Sequence, residues 1–472
     1  MHEDWATEEM RGTQLRDQRR VKSVIRICTR LAAQPDRSFS AACGPAVRQA
    51  AHRILEHPET SVESLLAGHF TATAARAEGL PLILIAQDTT AFVYGQQQIV
   101  GLTAVNQRRQ SRALRGHGAL AMTPGGTPLG LWHLALWGAE PEPAGPTSRE
   151  RPRAEKESWK WFAALEAVAQ RLPPGSEGLL IQDREGDIFD FLAEERPARL
   201  HLLVRAAQDR RLEYEPRPET PAAVTRTERG TLFAVAASAP LLGHCTVTVP
   251  RRAAGGSQPA LPAREAELAV RVTEVRWQRP RKYASSPHPE LRVWLVCATE
   301  TNPPPGVEPL QWVLISTLPV EDQETAYRCL GYYARRWVIE RLHYTLKSGL
   351  GAEKLQIDDA VSLAHALALY YVVAWRLLFV TYTARENPQA PATTVLDAEE
   401  VAVLEAATGQ AVPTVGAAVT AIARWGGYEP YRNGPPPGVK TLWQGQIRLE
   451  AMRLGWQLSR RHPPPSETYE PR

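Results

Sequence analysis

The chain has 472 residues, of which 43% are hydrophobic, and a net charge of only +4. This length favours two or three domains, and the composition excludes wholesale disorder. The small net charge excludes a chain that is basic throughout, so any nucleic-acid contact must come from a local patch.

Cysteine usage and the N-terminus indicate the compartment. The five cysteines are far apart in sequence and none forms a C-x-x-C pair, which argues against a zinc site or a disulfide framework and suits a reducing cytoplasm. The N-terminus carries Glu3, Asp4, Glu8 and Glu9 and lacks the basic-then-apolar order of a signal peptide. We therefore expect a soluble cytoplasmic protein. The cysteines are Cys28, Cys43, Cys245, Cys297 and Cys329.

Residues 7–78 have a helical pattern with breaks at Pro35 and at Gly44-Pro45. From Arg11 to Arg30 this segment holds seven basic residues against one acid, Asp17. A basic helix over residues 16–30 could lie along a phosphate backbone. The alternative is a solvated basic face, and charge alone leaves both open. The basic residues are Arg11, Arg16, Arg19, Arg20, Lys22, Arg26 and Arg30.

An α/β order with an antiparallel start begins at residue 80. Residues 80–86 form a continuous apolar run that stops at Asp88 and is typical of a strand buried on both faces. Two more strands, 119–122 and 129–137, are joined by a turn, and a proline-rich loop at 140–153 leads to a helix at 157–171. A fourth strand, 178–181, ends at Asp183, and a fifth follows at 200–204.

Residues 207 to about 318 show short alternating runs that predict a β-rich insertion. Residues 321–350 predict one long helix or two in series, with further helices to about 425 and a last helix at 441–461. The most apolar stretch, 361–380, is interrupted by His365 and Arg376, so it predicts a buried core helix rather than a membrane span.

Asp88 and Asp183 are predicted to lie where central strands end. Ligands gather at the carboxyl ends of strands in open α/β sheets. Together with a third acid they would form an oxygen-rich site for Mg²⁺ or Mn²⁺, and zinc is disfavoured because no His or Cys flanks either aspartate. The alternative is that Asp88 caps a turn in Asp-Thr-Thr.

A polar stripe in the predicted helix near residue 340 offers that third acid. Its members recur at steps of three and four residues and so share one face. The stripe could be a solvated face with an Arg336–Glu340 pair, or a site that joins a metal ligand to phosphate donors. Spacing alone leaves this undecided. The members are Tyr333, Arg336, Glu340, His343 and Lys347.

Three segments carry a family resemblance, which spans nearly the whole chain. They are Ile85-Ala86-Gln87-Asp88-Thr89-Thr90, Asp183-Arg184-Glu185-Gly186-Asp187, and Tyr333-x2-Arg336-x3-Glu340-x6-Lys347. In this order they resemble the DDE transposases of the insertion-sequence-four family, the group that contains the transposon five transposase. The Tyr-Arg-Glu-Lys spacing is the most specific of the three.

The resemblance implies an α/β fold with a ribonuclease H-like catalytic core. Residues 1–78 would form a helical DNA-end-binding domain. Residues 79–385 would form the catalytic domain, with the β-rich insertion at about 207–318. Residues 386–472 would form a C-terminal helical dimerisation domain.

The same resemblance implies cut-and-paste transposition. Asp88, Asp183 and Glu340 would bind two Mg²⁺ ions, with Mn²⁺ able to substitute. The protein would nick double-stranded transposon ends, form a hairpin intermediate and join the ends to target DNA. It would act as a homodimer that cuts in trans, associated with the bacterial nucleoid and with no membrane partner.

The resemblance also implies which side chains contact DNA. Tyr333, Arg336 and Lys347 would hold phosphates, with Arg205 a weaker candidate, and Trp312 would stack on a flipped base. Alternatively, Trp312 is a core aromatic of a strand. Many relatives carry a second lysine where this chain has Tyr344, so one phosphate contact is in doubt. The N-terminal candidates are Arg16, Arg19, Arg20, Lys22 and Arg26.

Two other functions remain open. A ribonuclease H-like DNA nuclease without strand transfer would use the same carboxylates without needing Trp312. A non-catalytic, domesticated DNA-binding derivative would be expected to have lost a catalytic acid, and the sequence retains all three.

Overall fold

The computed structural model describes residues 4–34, 37–95, 99–106, 109–138, 156–214, 228–249, 261–280, 287–431, 434 and 436–461. The chain forms two compact units. The first comprises Met1–Glu78, Thr89–Ala144 and Val338–Arg472, and the second comprises Gly79–Asp88 and Gly145–Trp337. The predicted proline-rich loop at 140–153 lies outside the described residues.

The first unit begins with the helices α1 (Trp5–Met10), α2 (Gln18–Ala33), α3 (Phe39–Leu55) and α4 (Val62–Ala77). Each is preceded by an Asp or Ser whose side chain accepts a hydrogen bond from a backbone N–H of the first turn. Gly44 has φ +68°, which bends α3 where Gly44-Pro45 predicted a break.

The first unit also contains three strands and the C-terminal helices. The strands are β2 (Thr103–Asn106), β3 (Arg109–Met122) and β4 (Pro128–Gly138), with β3 antiparallel to both β2 and β4. A helix α9 (Trp337–Tyr344) runs into a π-helical turn, Thr345–Gly349. The later helices are α10 (Ala360–Glu386), α11 (Ala398–Thr408), α12 (Val415–Trp425) and α13 (Val439–Arg461).

Helix α10 is the core helix of the first unit. It packs on β4 together with α4, and its last turns join α11, α12 and α13 in one apolar cluster. Within the described part of the chain it is the one helix long and apolar enough to cross a membrane, but 94% of that stretch is buried. This burial is consistent with a soluble protein and confirms the prediction of a buried core helix.

A buried charge cluster fixes α1 to α4 and β4. The Glu9 carboxylate lies 2.5 Å from Arg76 Nη1 and 2.6 Å from His69 Nδ1, and His69 Nε2 accepts from the backbone N–H of Leu131 at 3.0 Å. Burial alone would raise the pKa of Glu9, but Arg76 and His69 hold it below its ordinary value. Burial lowers the pKa of His69, so His69 is neutral, with Nδ1 donating and Nε2 accepting.

The second unit is built on a large mixed sheet. The order of its strands is β1 (Leu82–Val93), β5 (Glu177–Gln182), β6 (Leu200–Arg205), β12 (Gln311–Ser316), β11 (Glu290–Glu300), β10 (Arg264–Gln278), β7 (Arg211–Tyr214) and β8 (Glu228–Thr231). β9 (Leu241–Val249) also pairs with β10. β1, β5 and β6 are parallel, and the pairs from β6 to β12 onward are antiparallel. The short alternating runs after residue 207 are therefore strands, as predicted.

The helices of the second unit are α5 (Trp159–Arg171), α6 (Phe189–Ala193), α7 (Leu232–Ser238) and α8 (Gln323–Arg335). Because α8 ends at Arg335 and α9 starts at Trp337, the predicted long helix is two in series.

One predicted boundary is wrong. β1 does not end at Asp88 but continues to Val93. The pairing of β1 with β5 stops because β5 ends at Gln182. Just after β1, the N–H of Tyr94 donates to Arg112 O, and the N–H of Arg112 donates to Gly95 O. Asp88 therefore lies beyond the parallel pairing because β5 ends there and β1 continues beside another strand.

Candidate active site and DNA-binding surface

Asp88 and Asp183 each lie two residues beyond the last pair of the parallel β1–β5 ladder. That pair is Ala86 with Ile181, and the same register continued by two residues would set Asp88 opposite Asp183. The preceding residues confirm this register, since Gln182 Nε2 donates to Gln87 Oε1 at 2.8 Å. Side chains alternate along a strand, so both aspartates leave the face opposite the glutamines. Both aspartates are half-buried.

The backbone after Asp183 turns at once. Asp183 Oδ1 accepts from Glu185 N–H at 2.9 Å and caps a 3₁₀ turn, Arg184–Gly186. One carboxylate oxygen of Asp183 is thus already engaged, which orients the side chain. Glu185 also approaches the buried Lys160, whose Nζ lies 3.4 Å from its carboxylate.

Asp187 holds the far end of this turn. Its side chain is fully buried, and its Oδ2 accepts from Ala207 N–H at 2.6 Å, Gln208 N–H at 3.2 Å and Arg210 Nη1 at 2.6 Å. Arg210 also donates to Asp187 O at 2.8 Å and lies over the Trp277 ring at 4.4 Å. The turn that starts at Asp183 is therefore anchored to the chain that follows β6.

Arg336 lies next to Asp88. Its Nη1 is 3.9 Å from Asp88 Oδ1, and its side chain is only 9% exposed. Tyr333, three residues earlier, is also buried and packs edge-on against Trp312 with ring centroids 5.5 Å apart. Trp312 itself is half-buried in β12, beside Ala298 of β11. It is thus not a fully buried core aromatic, and its predicted stacking role stays a prediction.

Arg205 is the last residue of β6. Its Nη2 donates to Gln311 O at 3.0 Å, which links it to the residue before Trp312. Its predicted contact with phosphate stays a prediction.

The rest of the polar stripe lies in the first unit. Glu340 is half-buried on α9, and His343 is buried with its ring edge-on to Tyr371. The alternative of a solvated face is wrong for Tyr333, Arg336 and His343, which are all buried.

Lys347 lies within the π-helical turn, with Nζ 5.6 Å from the centre of the Phe92 ring. A π turn adds a residue to the repeat, so Lys347 departs from the regular spacing that predicted one face. Tyr344 is 56% exposed.

The carboxylates of Asp88 and Asp183 suit an oxygen-preferring cation. They offer the oxygen ligands that Mg²⁺ and Mn²⁺ prefer. Across the described ranges, no group of three or more His, Cys, Asp or Glu side chains is arranged to hold a metal ion. The guanidinium of Arg336 supplies positive charge beside Asp88 instead.

The basic residues of α2 form one exposed stripe. Arg19, Lys22 and Arg26 are exposed at steps of three and four residues, while Val21, Val24 and Ile27 are buried on the other face. Arg20 is half-buried, and Arg16, before the helix, is 86% exposed and forms an ion pair with Glu59 at 2.8 Å. The amphipathic pattern confirms the predicted basic helix and its exposed face.

Sequence reasoning did not assign a role to Gln87, Gln182, Asp187 or Arg210. Gln87 and Asp187 lie inside the motifs that carried the resemblance, so their place in those motifs was the available signal. The sequence holds no such signal for Gln182 and Arg210, because their hydrogen-bond partners are 95 and 23 residues away in the chain.

Together these features define a mixed α/β protein with a basic helical segment at its N-terminus and a helical C-terminal region. Residues 2–60 match the family model described as transposase DNA-binding. The match covers α1, α2 and α3, including the basic stripe. It supports a transposase that binds DNA.

Proposed function

We propose that this protein is a cut-and-paste DDE transposase of the insertion-sequence-four family, similar to the transposon five transposase, with a ribonuclease H-like core. Asp88, Asp183 and Glu340 would hold two Mg²⁺ ions, for which Mn²⁺ could substitute. When bound, the ions would activate the attacking oxygen and stabilise the leaving oxygen of an in-line phosphoryl transfer.

The observation that carries the proposal is the register of the two aspartates. Neighbouring strands lie about 4.8 Å apart, so two carboxylates on one face of adjacent chain segments can share a divalent ion. Glu340 is included on the family resemblance, whose spacing sets it four residues after Arg336, the residue next to Asp88.

Several side chains would act on the DNA rather than on the ions. Arg336 would exchange its pairing with Asp88 for a phosphate oxygen, and Tyr333, Lys347 and Arg205 would hold neighbouring phosphates. Trp312, which is half-buried, would stack on a base displaced as the hairpin forms. The freed 3′-hydroxyl of the nicked end would form that hairpin, which is reopened before strand transfer.

The N-terminal helices would bind the transposon ends. The family match at residues 2–60 and the exposed stripe of α2 support this role. Arg16, Arg19, Arg20, Lys22 and Arg26 would contact phosphates, which makes binding depend on salt concentration. The C-terminal helices would pair two subunits, each cutting in trans, on the nucleoid of a bacterial cell.

The test is incubation of the protein with Mg²⁺ and DNA that carries the element's own flanking ends, resolved on denaturing gels. We expect nicks, hairpins and joined products from the natural chain. Asp88→Asn, Asp183→Asn and Glu340→Gln should each abolish nicking and leave end binding intact. The control is Glu195→Gln, an exposed acid after α6 that should nick normally. Nicking by any of the three variants would remove that residue from the site.

The alternatives are a non-catalytic DNA-binding derivative and a DNA nuclease without strand transfer. The same assay separates the alternatives. A derivative of this kind would bind ends without nicking them, and a nuclease without strand transfer would nick them without joining them to target DNA.

A further inference from the structure

Gln87 and Gln182 form a fully buried amide pair directly behind the two aspartates. Each is one residue before an aspartate, each side chain is fully inaccessible, and Gln182 Nε2 donates to Gln87 Oε1 at 2.8 Å. This bond joins side chains of two parallel strands one position beyond the last pair of their ladder, Ala86 with Ile181.

Stability does not account for the pair. Gln87 Nε2 and Gln182 Oε1 find no hydrogen-bond partner among the described residues, although both atoms are buried. A buried amide group that lacks a partner costs free energy, whereas two apolar side chains of similar size in the same place would cost nothing of this kind. Two amides at this point in the sheet therefore call for another reason.

The pair also supports the turn that follows Asp183. A Cβ added to Gly186 would lie 2.6 Å from Gln182 Oε1, so the turn packs directly on that amide. Gln182 thus contacts both Gln87 on the neighbouring strand and the backbone of the 3₁₀ turn capped by Asp183. A shift of this amide would move one aspartate relative to the other.

We infer that Gln87 and Gln182 are positioning residues that set the separation of the Asp88 and Asp183 carboxylates for a divalent metal ion. The inference rests on the proposed function. Mg²⁺ demands nearly ideal octahedral geometry at short metal–oxygen distances, so it is sensitive to small displacements of its ligands. Residues that orient metal ligands from behind change metal affinity or activity by about 10–100-fold when they are replaced.

The test compares the double variant Gln87→Leu/Gln182→Leu with the natural chain, both as full-length protein bound to end DNA. Binding of Mn²⁺ is followed by electron paramagnetic resonance of the free ion, and nicking is measured over a range of Mg²⁺ and Mn²⁺ concentrations. We expect Mn²⁺ affinity to fall by about tenfold or more. Nicking should fall further with Mg²⁺ than with Mn²⁺, while end binding and thermal unfolding stay close to those of the natural chain.

Two further variants separate position from packing. Gln87→Leu alone leaves the Gln182 amide without its partner, so it should unfold at a lower temperature than the double variant. Thr381→Val, which replaces a buried hydroxyl of α10 by a methyl group, is the control and should keep natural metal binding.

The outcomes are distinct. Unchanged Mn²⁺ affinity and an unchanged Mg²⁺ requirement in the double variant would overturn the positioning role. So would a loss of nicking that merely follows a loss of folded protein and is equal for both metals. If Asp88→Asn and Asp183→Asn still nick DNA, the proposed function itself fails; if they are inactive while the double variant is normal, only the positioning inference fails.

Discussion

Replacement of Asp187 by alanine tests whether the anchored turn after Asp183 is a rigid support. The substitution removes the carboxylate, whose Oδ2 accepts from two backbone N–H groups and from Arg210. It leaves the guanidinium of Arg210, whose side chain is 9% exposed, without its buried counter-ion.

The expected loss of stability follows from these contacts. Removing one member of a buried ion pair costs about 3–5 kcal/mol, because the other charge stays buried. Arg210 keeps two backbone carbonyl acceptors, Asp187 O at 2.8 Å and Gln208 O at 3.3 Å, and still lies over the Trp277 ring. We therefore expect the lower end of the range, about 3 kcal/mol.

The assay is urea denaturation followed by circular dichroism, combined with amide hydrogen exchange. Because two compact units need not unfold together, the exchange data localise the effect to peptides that cover residues 183–187 and 206–210. The control Glu195→Ala removes an exposed carboxylate from the same part of the second unit and should change stability by less than about 0.5 kcal/mol. The double variant Asp187→Ala/Arg210→Met removes both charges and should recover part of the loss.

Two results would refute this reasoning. One is a stability loss in Asp187→Ala no larger than in Glu195→Ala, which would mean that the buried carboxylate contributes nothing. The other is faster exchange throughout the chain with no excess at residues 183–187, which would mean that the carboxylate does not anchor the turn.

Three further predictions concern DNA and pH. Trp312→Ala should impair hairpin formation more than first-strand nicking on denaturing gels, and equal effects would contradict base stacking. Charge reversal at Arg19 and Arg26 should lower the slope of log affinity against log salt by about one for each phosphate that the protein no longer neutralises, whereas reversal at Lys440, exposed on α13, should leave it unchanged. Burial raises the pKa of Glu400 to about 7, with Arg376 opposing the rise. The natural chain should therefore lose up to about 3 kcal/mol of stability relative to Glu400→Gln as pH rises from about 4.5 to 7. Parallel urea midpoints over that pH range would contradict this.

Much of the fold could be predicted from the sequence because single elements carry local signals. The apolar run at 361–380 exceeds what a surface helix would carry, and α10 is indeed buried. The short alternating runs after residue 207 are strands, and the strand before Asp183 ends where the apolar run ends. In each of these cases the periodicity of apolar residues within one element was sufficient.

The end of β1 could not be predicted in this way. The apolar run stops at Asp88, but the strand continues to Val93 because its backbone finds another neighbour. Hydrophobicity reports the burial of side chains, whereas strand length depends on backbone partners that are distant in sequence.

The candidate site shows the same limit. Spacing grouped Tyr333, Arg336 and His343, but it could not say that these side chains are buried. The Gln87–Gln182 bond depends on the register of two strands, which single-strand periodicity does not determine. Residues that contact each other only after folding cannot be paired from the local sequence.

The neutral histidine that joins α1 to α4 and β4 has a practical consequence for dissecting this protein. The family match ends at residue 60, but the side chains that hydrogen-bond to Glu9 are His69 and Arg76. An expression fragment that stopped at residue 60 would leave the Glu9 carboxylate among apolar side chains without these two partners. A fragment meant to capture the DNA-recognition helices in isolation should extend at least through Ala77, the last residue of α4.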